Sequence, residues 1–308
     1  MPIAKYEYTG PIDHTLPIDH AKLKGKSVII TGGANGMGET CVRHFAEHGA
    51  KVTIADVNKR GYDLSAELNK TYGEERTIFV EVDIRDWDQQ KNMFEYAMSK
   101  FGAIDVVIAN AGISRSSGDG LWNLDDPNGE PTKPDLNIVD VNLKGSLYTW
   151  KLAVHYWRKQ KESDERDRCF IITGSLIAWI DSPGNWEYTA TKYGLHGFMR
   201  TVRRSSWEQG IRINYVAPSW IKSAIRTKEY EQWLTDRGIE FGEQEDVAAC
   251  MMRIASDRSI NEGYKDIDKD DYTEDDGHDG YFKRTQDTQL VIIEDRWRDD
   301  YKVRVFKE

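Results

Sequence analysis

Long apolar runs are missing from this 308-residue chain. None approaches the roughly 20 residues that span a bilayer, so no membrane partner is expected. Cysteine is scarce: Cys41, Cys169 and Cys250 stand far apart, show no metal spacing and cannot all pair with one another. That usage fits a reduced, cytoplasmic setting. Positive charge is in deficit, with 42 Lys and Arg against 52 Asp and Glu and a formal net charge of -10. Such a balance disfavours a nucleic-acid partner. The first twenty residues lack a basic start followed by an apolar stretch, so no secretory signal is expected. What is present is a globular composition, 39% hydrophobic and 31% charged, on a chain long enough to bury a large core.

The pattern along the chain divides it into an arm over 1–22, a main domain over 23–257 and an acidic C-terminal extension over 258–308 that is expected to pack on the same domain. Within the main domain, short apolar runs alternate with amphipathic stretches. Residues 28–31, 52–55, 77–82, 106–109, 170–173 and 211–216 read as strands. Residues 37–48, 62–72, 87–101, about 137–159 and a stretch through 188 to about 208 read as helices. Near-continuous apolar strands in this rhythm predict a parallel α/β sheet covered by helices on both faces. Residues 114–134, rich in Gly, Pro, Asp and Asn, read as an exposed loop. A last strand is expected at 290–294.

The first strand runs into Thr31-Gly32-Gly33-Ala34-Asn35-Gly36-Met37-Gly38. A strand-to-helix turn this tight needs residues without a Cβ, and so does close approach of backbone N–H groups to a pyrophosphate. A plain structural turn is the simpler alternative. Asp56 ends the second strand about 20 residues later, where a carboxylate can accept the ribose hydroxyls of an adenosine and repel a 2′-phosphate. NAD is therefore expected over NADP, although Lys59 and Arg60 follow closely. A helix cap or turn role is the plainer alternative for Asp56, and Asp83, ending the third strand, reads as an adenine contact or a turn residue.

Tyr188 and Lys192 stand four residues apart, so one helix face carries both. A free tyrosine, with a pKa of about 10, is a poor base near neutrality, and an adjacent ammonium favours its phenolate. Ser175, at a strand end, is placed to hold the same substrate oxygen. Asn142 sits inside a helix despite its low propensity there, which suggests a polar duty such as holding a water beside Lys192. A Tyr-x-x-x-Lys pair alone is common by chance. Its order after a glycine turn and a strand-end serine points to a hydride-transfer site for an alcohol or ketone.

As a set, these residues resemble the short-chain dehydrogenase/reductase family over roughly 23–257. The resemblance rests on the glycine turn, Asp83, Asn110-Ala111-Gly112, Asn142, Ser175, Tyr188, Lys192 and Pro218. It implies a seven-stranded Rossmann-type sheet and a Ser175–Tyr188–Lys192 core with Asn142 completing a proton relay. It also implies cofactor contacts from Thr31, Gly32, Asn35, Gly36, Met37, Gly38, Asp56, Val57, Asp83, Ile84, Asn110, Ala111, Gly112, Tyr188, Lys192, Pro218, Ile221 and Ser223. Family members usually form homodimers or homotetramers. This chain departs from the family pattern at Pro218-Ser219, where Pro-Gly is usual, and in its acidic C-terminus. Its tail resembles the 15-hydroxyprostaglandin dehydrogenase-like branch, which includes fungal enzymes of polyketide alcohols.

Trp179, Trp186 and Trp220 fall in segments that border the family's substrate pocket, so the small-molecule partner is expected to be a bulky, apolar or aromatic secondary alcohol or its ketone. Ordinary packing is the plainer reading of each indole. Residues 223–237 have the composition of a lid. A dinucleotide-binding isomerase, cyclase or regulatory module is the competing function on the same fold. His44-Phe45-Ala46-Glu47-His48 has the spacing of an inverted zinc-protease motif, but it falls on the helix after the glycine turn, where no cleft is expected. The acidic run 266–271 begins like a calcium loop, but Asp271 and Gly277 stand where such a loop needs glycine and glutamate. No resident metal is expected.

Overall fold

The computed structural model describes residues 17–114, 121, 125–161, 163, 166–179, 184–222, 228–237, 239 and 241–260. Six strands form one parallel sheet: β1 Ser27–Thr31, β2 Lys51–Asp56, β3 Thr77–Glu81, β4 Val106–Ala109, β5 Cys169–Thr173 and β6 Arg212–Val216. Their order across the sheet is β3-β2-β1-β4-β5-β6. The order reverses between β1 and β4, and the crevice beyond the C-terminal ends of those strands is where doubly wound folds bind ligands.

Burial on both faces explains the apolar strands. Val28 and Ile30 of β1, Val106 and Ile108 of β4, and Cys169 and Ile171 of β5 share one buried cluster with α1 (Gly36–Glu47), α2 (Arg60–Tyr72) and α7 (Gln244–Ser256). The alternate residues Ile29, Val107, Phe170 and Ile172 join a second cluster with α3 (Trp87–Phe101), α4 (Ser146–Lys159) and α5 (Trp186–Ser206). This is the two-residue alternation of a pleated strand, with a helical layer on each side. A short helix, α6 (Lys228–Thr235), lies within the expected lid segment. No helix among the described residues is long and apolar enough to cross a membrane.

Several expectations need correction. The helix over 137–159 is not uniform: Val139–Gly145 is wound as a π-helix, and only Ser146–Lys159 is α-helical. Three bonds brace the wider turn. The Asn142 side chain pairs with the backbone of Ile113, and Gln90 donates to the Gly145 carbonyl at 2.9 Å. A Cβ at Gly145 would lie 2.7 Å from Ile84, so only glycine lets the turn approach this closely. Such π segments commonly mark functional positions. The sheet has six strands among the described residues rather than seven. The strand expected at 290–294 and the acidic run at 266–271 fall outside the described residues, as does most of the arm.

The N-terminal edge of the sheet carries a buried ionic cluster. Asp167 accepts from Lys26 at 2.9 Å and from Arg212 at 2.7 Å. Arg212 also donates to the carbonyls of Ile254 and Asp257, at 3.1 and 3.2 Å, and to that of Ile260. Burial alone would raise the Asp167 pKa, but the two cations outweigh it and hold the carboxyl well below the usual range. The opposite edge is left for chemistry.

Candidate active site

At the glycine turn, Gly32 and Gly36 adopt left-handed backbone angles, φ +66° and +54°. A Cβ at Gly38 would lie 1.9 Å from the Gly32 carbonyl oxygen, and one at Gly32 would lie 2.7 Å from Ala111 Cα. Those two glycines are therefore required by packing. A Cβ at Gly36 meets nothing within 4 Å, so this residue opens onto free space at the start of α1. Asn35, at the N-cap, makes no side-chain cap bond, which leaves the first-turn N–H groups available to an anion. Met37 packs against the first core cluster. These residues fit a dinucleotide pyrophosphate.

The turn is clamped from behind. Thr31 Oγ accepts from the N–H groups of Asn110 and Ala111 at 3.0 and 3.1 Å. Asn110 Nδ2 donates to the carbonyls of Thr31 and Gly32, each at 3.1 Å, and its Oδ1 accepts from Thr173 Oγ at 3.1 Å. The Asn110 side chain is thus committed to tying β1, β4 and β5 together. Gly112 backs onto Asn142, where a Cβ would lie 3.2 Å from Oδ1.

At the end of β2, Asp56 is buried, and its two oxygens accept from the N–H groups of Ala34 and Asn58, both at 2.9 Å. Neighbouring Val57 is 62% exposed. Lys59 and Arg60, the two cations that follow Asp56 closely, are paired with Glu81 at 3.6 Å and with Glu39 at 2.5 Å. Asp83 is held by Arg85, whose Nε donates to both carboxylate oxygens at 3.0 and 2.9 Å. That partner keeps the Asp83 pKa below its ordinary value. Ile84 is buried against Gly145.

The residues expected to handle a proton lie across the β4 and β5 ends. Lys192 is buried, donates to the Thr173 carbonyl at 2.8 Å, and holds its ammonium 5.4 Å from the Tyr188 ring centroid. Desolvation lowers its pKa from 10.5 to about 8. Ser175 caps a 3-10 turn, Leu176–Ala178, and its Oγ accepts from the Ile177 N–H at 3.3 Å. Asn142 is fully engaged: Oδ1 accepts from the Ile113 N–H at 2.8 Å, while Nδ2 donates to the Ile113 carbonyl at 2.9 Å and to Thr191 Oγ at 3.3 Å. Thr191 in turn donates to the Tyr188 carbonyl at 2.7 Å. The Asn142 side chain thereby braces the loop after β4 against α5.

Two contributors escaped the sequence reading. Tyr215 accepts from the Ser175 N–H at 3.3 Å and donates to the Lys192 carbonyl at 3.1 Å, strapping the serine loop to α5. Gly174 makes room for it, since a Cβ there would lie 1.9 Å from the phenol ring. An aromatic residue inside an apolar strand looks like core, and only the glycine beside Ser175 hinted otherwise. Thr173 is the second, as the acceptor for Lys192.

On the substrate side the indoles diverge. Trp179 turns toward the core, 4.2 Å from the His196 ring and 5.5 Å from that of Tyr215, which is the packing reading. Trp186 is 42% exposed at the start of α5. Trp220 leans on Phe241 at 6.2 Å. The Pro218 carbonyl accepts from the Leu176 N–H at 3.1 Å, and Ile221 bridges to Gly242. Ser223 lies outside the described residues. His44, Glu47 and His48 do cluster, with ligand-type atoms within 4.8 Å of one another, but at the opposite end of α1 from the glycine turn.

Residues 26–233 match the family described as short chain dehydrogenase. Short chain aldehyde dehydrogenase 1 of Euphorbia lathyris is 34% identical over 200 residues, a match spanning 64% of this chain and 64% of that protein. The 5′-hydroxyaverantin dehydrogenase stcG of Emericella nidulans is 30% identical over 231 residues, covering 70% of this chain and 72% of that one. A solved 3-ketoacyl-(acyl-carrier-protein) reductase from Brucella melitensis, complexed with NADH, shares the fold with a TM-score of 0.64 at 22% identity, covering 77% and 93% of the two chains. This chain belongs to the short-chain dehydrogenase family, as an oxidoreductase of the alcohol–carbonyl type on a fold that binds a nicotinamide dinucleotide.

Proposed function

We propose that this chain is an NAD-dependent dehydrogenase that interconverts a bulky, apolar or aromatic secondary alcohol and its ketone, with Tyr188 as the proton-transfer residue. The observation that carries the reading is the Lys192 ammonium, buried beside the Tyr188 ring and fixed on the Thr173 carbonyl. In alcohol oxidation, Tyr188 as phenolate takes the hydroxyl proton while the C–H bond at the carbinol carbon breaks; in reduction the phenol returns that proton to the forming alkoxide. The nicotinamide, when bound, accepts or supplies the hydride. Lys192 favours the phenolate by its charge, and Ser175 orients the reacting oxygen. Asn142 braces the loop after β4, and so keeps α5 in register with the cradle.

NAD is the preferred cofactor in this reading because Asp56 faces the ribose end of the cradle, while Lys59 and Arg60 are paired with Glu81 and Glu39. Gly32, Gly36 and Gly38 would carry the pyrophosphate. The resemblance to 5′-hydroxyaverantin dehydrogenases supports a polyketide-like alcohol, and hence a place in secondary metabolism. A cytoplasmic homodimer or homotetramer completes the proposal.

Replacing Tyr188 with Phe removes only the hydroxyl. Turnover of an NAD-linked alcohol panel, followed by NADH absorbance, should fall by about a thousandfold or more, in line with the loss of a general acid–base group. NAD binding should remain measurable by titration. Near-normal turnover in that variant would remove Tyr188 from the chemistry.

A further inference from the structure

We infer that Glu39 is a specificity-determining residue, which withholds Arg60 from the 2′-phosphate that distinguishes NADP from NAD. The inference rests on the reading of Asp56 as the ribose-facing carboxylate and extends it to a second residue.

Glu39 lies in the first turn of α1, just past the glycine turn, and its side chain is only 14% exposed. One oxygen accepts from Arg60 Nη1 at 2.5 Å; the other accepts from Arg60 Nη2 at 2.9 Å and from Arg43 Nε at 3.0 Å. Arg60 Nη1 also reaches the Ala34 carbonyl at 3.2 Å. Ala34 is the residue whose N–H binds Asp56. The guanidinium and the ribose-reading carboxylate therefore meet on one residue of the turn. Arg43 is held from its other side by Glu67, at 2.7 and 3.1 Å.

Arginine is the side chain best suited to fork onto a phosphate. By position alone, Arg60 is a ready 2′-phosphate ligand, and that is why its place after Asp56 suggested tolerance of NADP. The ion pair reverses this. A 2′-phosphate reaching Arg60 has to displace a largely buried carboxylate, and Glu39, left with Arg43 alone, then stands beside a dianion. Asp56 repels the same group. Two carboxylates, not one, guard the ribose end, and the second works by occupying Arg60. If Glu39 served only to stabilise the helix start, its loss would alter NAD and NADP affinity together.

The test is calorimetric titration of the full chain with NAD⁺ and NADP⁺, comparing wild type, Glu39→Gln and Glu39→Gln/Arg60→Ala. Glutamine keeps the shape and removes the charge. NADP⁺ affinity should rise by about tenfold or more in Glu39→Gln with NAD⁺ affinity within about threefold, the scale expected for a freed charge-assisted phosphate contact. Adding Arg60→Ala should cancel the gain. Unchanged NADP⁺ affinity, or parallel shifts for both cofactors, overturns the proposal. Equal NAD⁺ and NADP⁺ affinity in the wild type would instead defeat the Asp56 reading, and the effect of Glu39→Gln on NADP⁺ would still decide for or against Glu39. Should Glu39→Gln fail to fold, Arg60→Ala alone settles the matter. It should leave NADP⁺ affinity within about threefold of wild type, because Arg60 is already occupied; a tenfold loss would show Arg60 reading the phosphate despite Glu39 and would overturn the proposal.

Discussion

Replacing Lys192 with Met should stabilise the protein while abolishing turnover. The Lys192 ammonium is buried, and desolvation carries its pKa from 10.5 down to about 8. At pH 7 both folded and unfolded states hold the proton, so the folded state bears the full cost, about 3 kcal/mol. Methionine fills the space of the aliphatic stem without that cost. The loss to set against it is the bond to the Thr173 carbonyl at 2.8 Å, worth about 1–2 kcal/mol. The net gain is about 1–2 kcal/mol, or a rise in Tm of roughly 3–6 °C for a domain of this size. The advantage should shrink with pH in a defined window. Between about 8 and 10.5 the folded wild type binds fewer protons than the unfolded chain, so its stability rises with pH; above that window the ionisation cost is gone. Thermal denaturation of both proteins at pH 7 and pH 10 measures this difference. A fall in Tm of several degrees at pH 7 would refute the view of Lys192 as a destabilising charge kept for chemistry.

Other expectations follow from the same geometry. Gly38→Ala places a Cβ 1.9 Å from the Gly32 carbonyl and should abolish NAD binding in a titration, whereas Gly36→Ala has free space and should cost about 1 kcal/mol for its positive φ, read as a small drop in Tm. Burial pushes the thiols of Cys41 and Cys250 to about 12 and that of Cys169 to about 11, so a disulfide reagent should label none in the native protein and all three after denaturation. Asp167→Asn leaves Arg212 and Lys26 without their counter-charge and should cost about 3–5 kcal/mol at pH 7. Because the folded-state pKa of Asp167 is depressed, that stabilisation is present above the unfolded carboxylate range and is lost as pH falls below it, so urea midpoints of wild type and variant should converge in acid.

The sheet was legible because its strands are buried on both faces. Val28, Ile29 and Ile30 give an unbroken apolar run, and so do Val106, Val107 and Ile108. The glycine turn was legible because three glycines between a strand and a helix have few other uses. The register of Tyr188 and Lys192 followed from helical spacing. What stayed hidden depends on long-range partners. Nothing local announces that Asn142 will pair with Ile113 and widen the helix into a π turn. Tyr215 looks like one more core aromatic until its hydroxyl is seen between Ser175 and Lys192. The pairing of Arg60 with Glu39 crosses 21 residues of sequence. Nor does the sequence show that Trp179, four residues after Ser175, sets its ring against His196.

Thr173 gives the two halves of the site a common foundation. Its hydroxyl grips the asparagine that holds the glycine turn shut, and its carbonyl receives the ammonium that lies beside the Tyr188 ring. The spacing between dinucleotide and acid–base group is thereby fixed by a rigid strand end before any ligand arrives. Little reorganisation is left for the moment of reaction. Evolution can remodel the alcohol-binding loops on such a platform without disturbing the distance over which hydride and proton must move together.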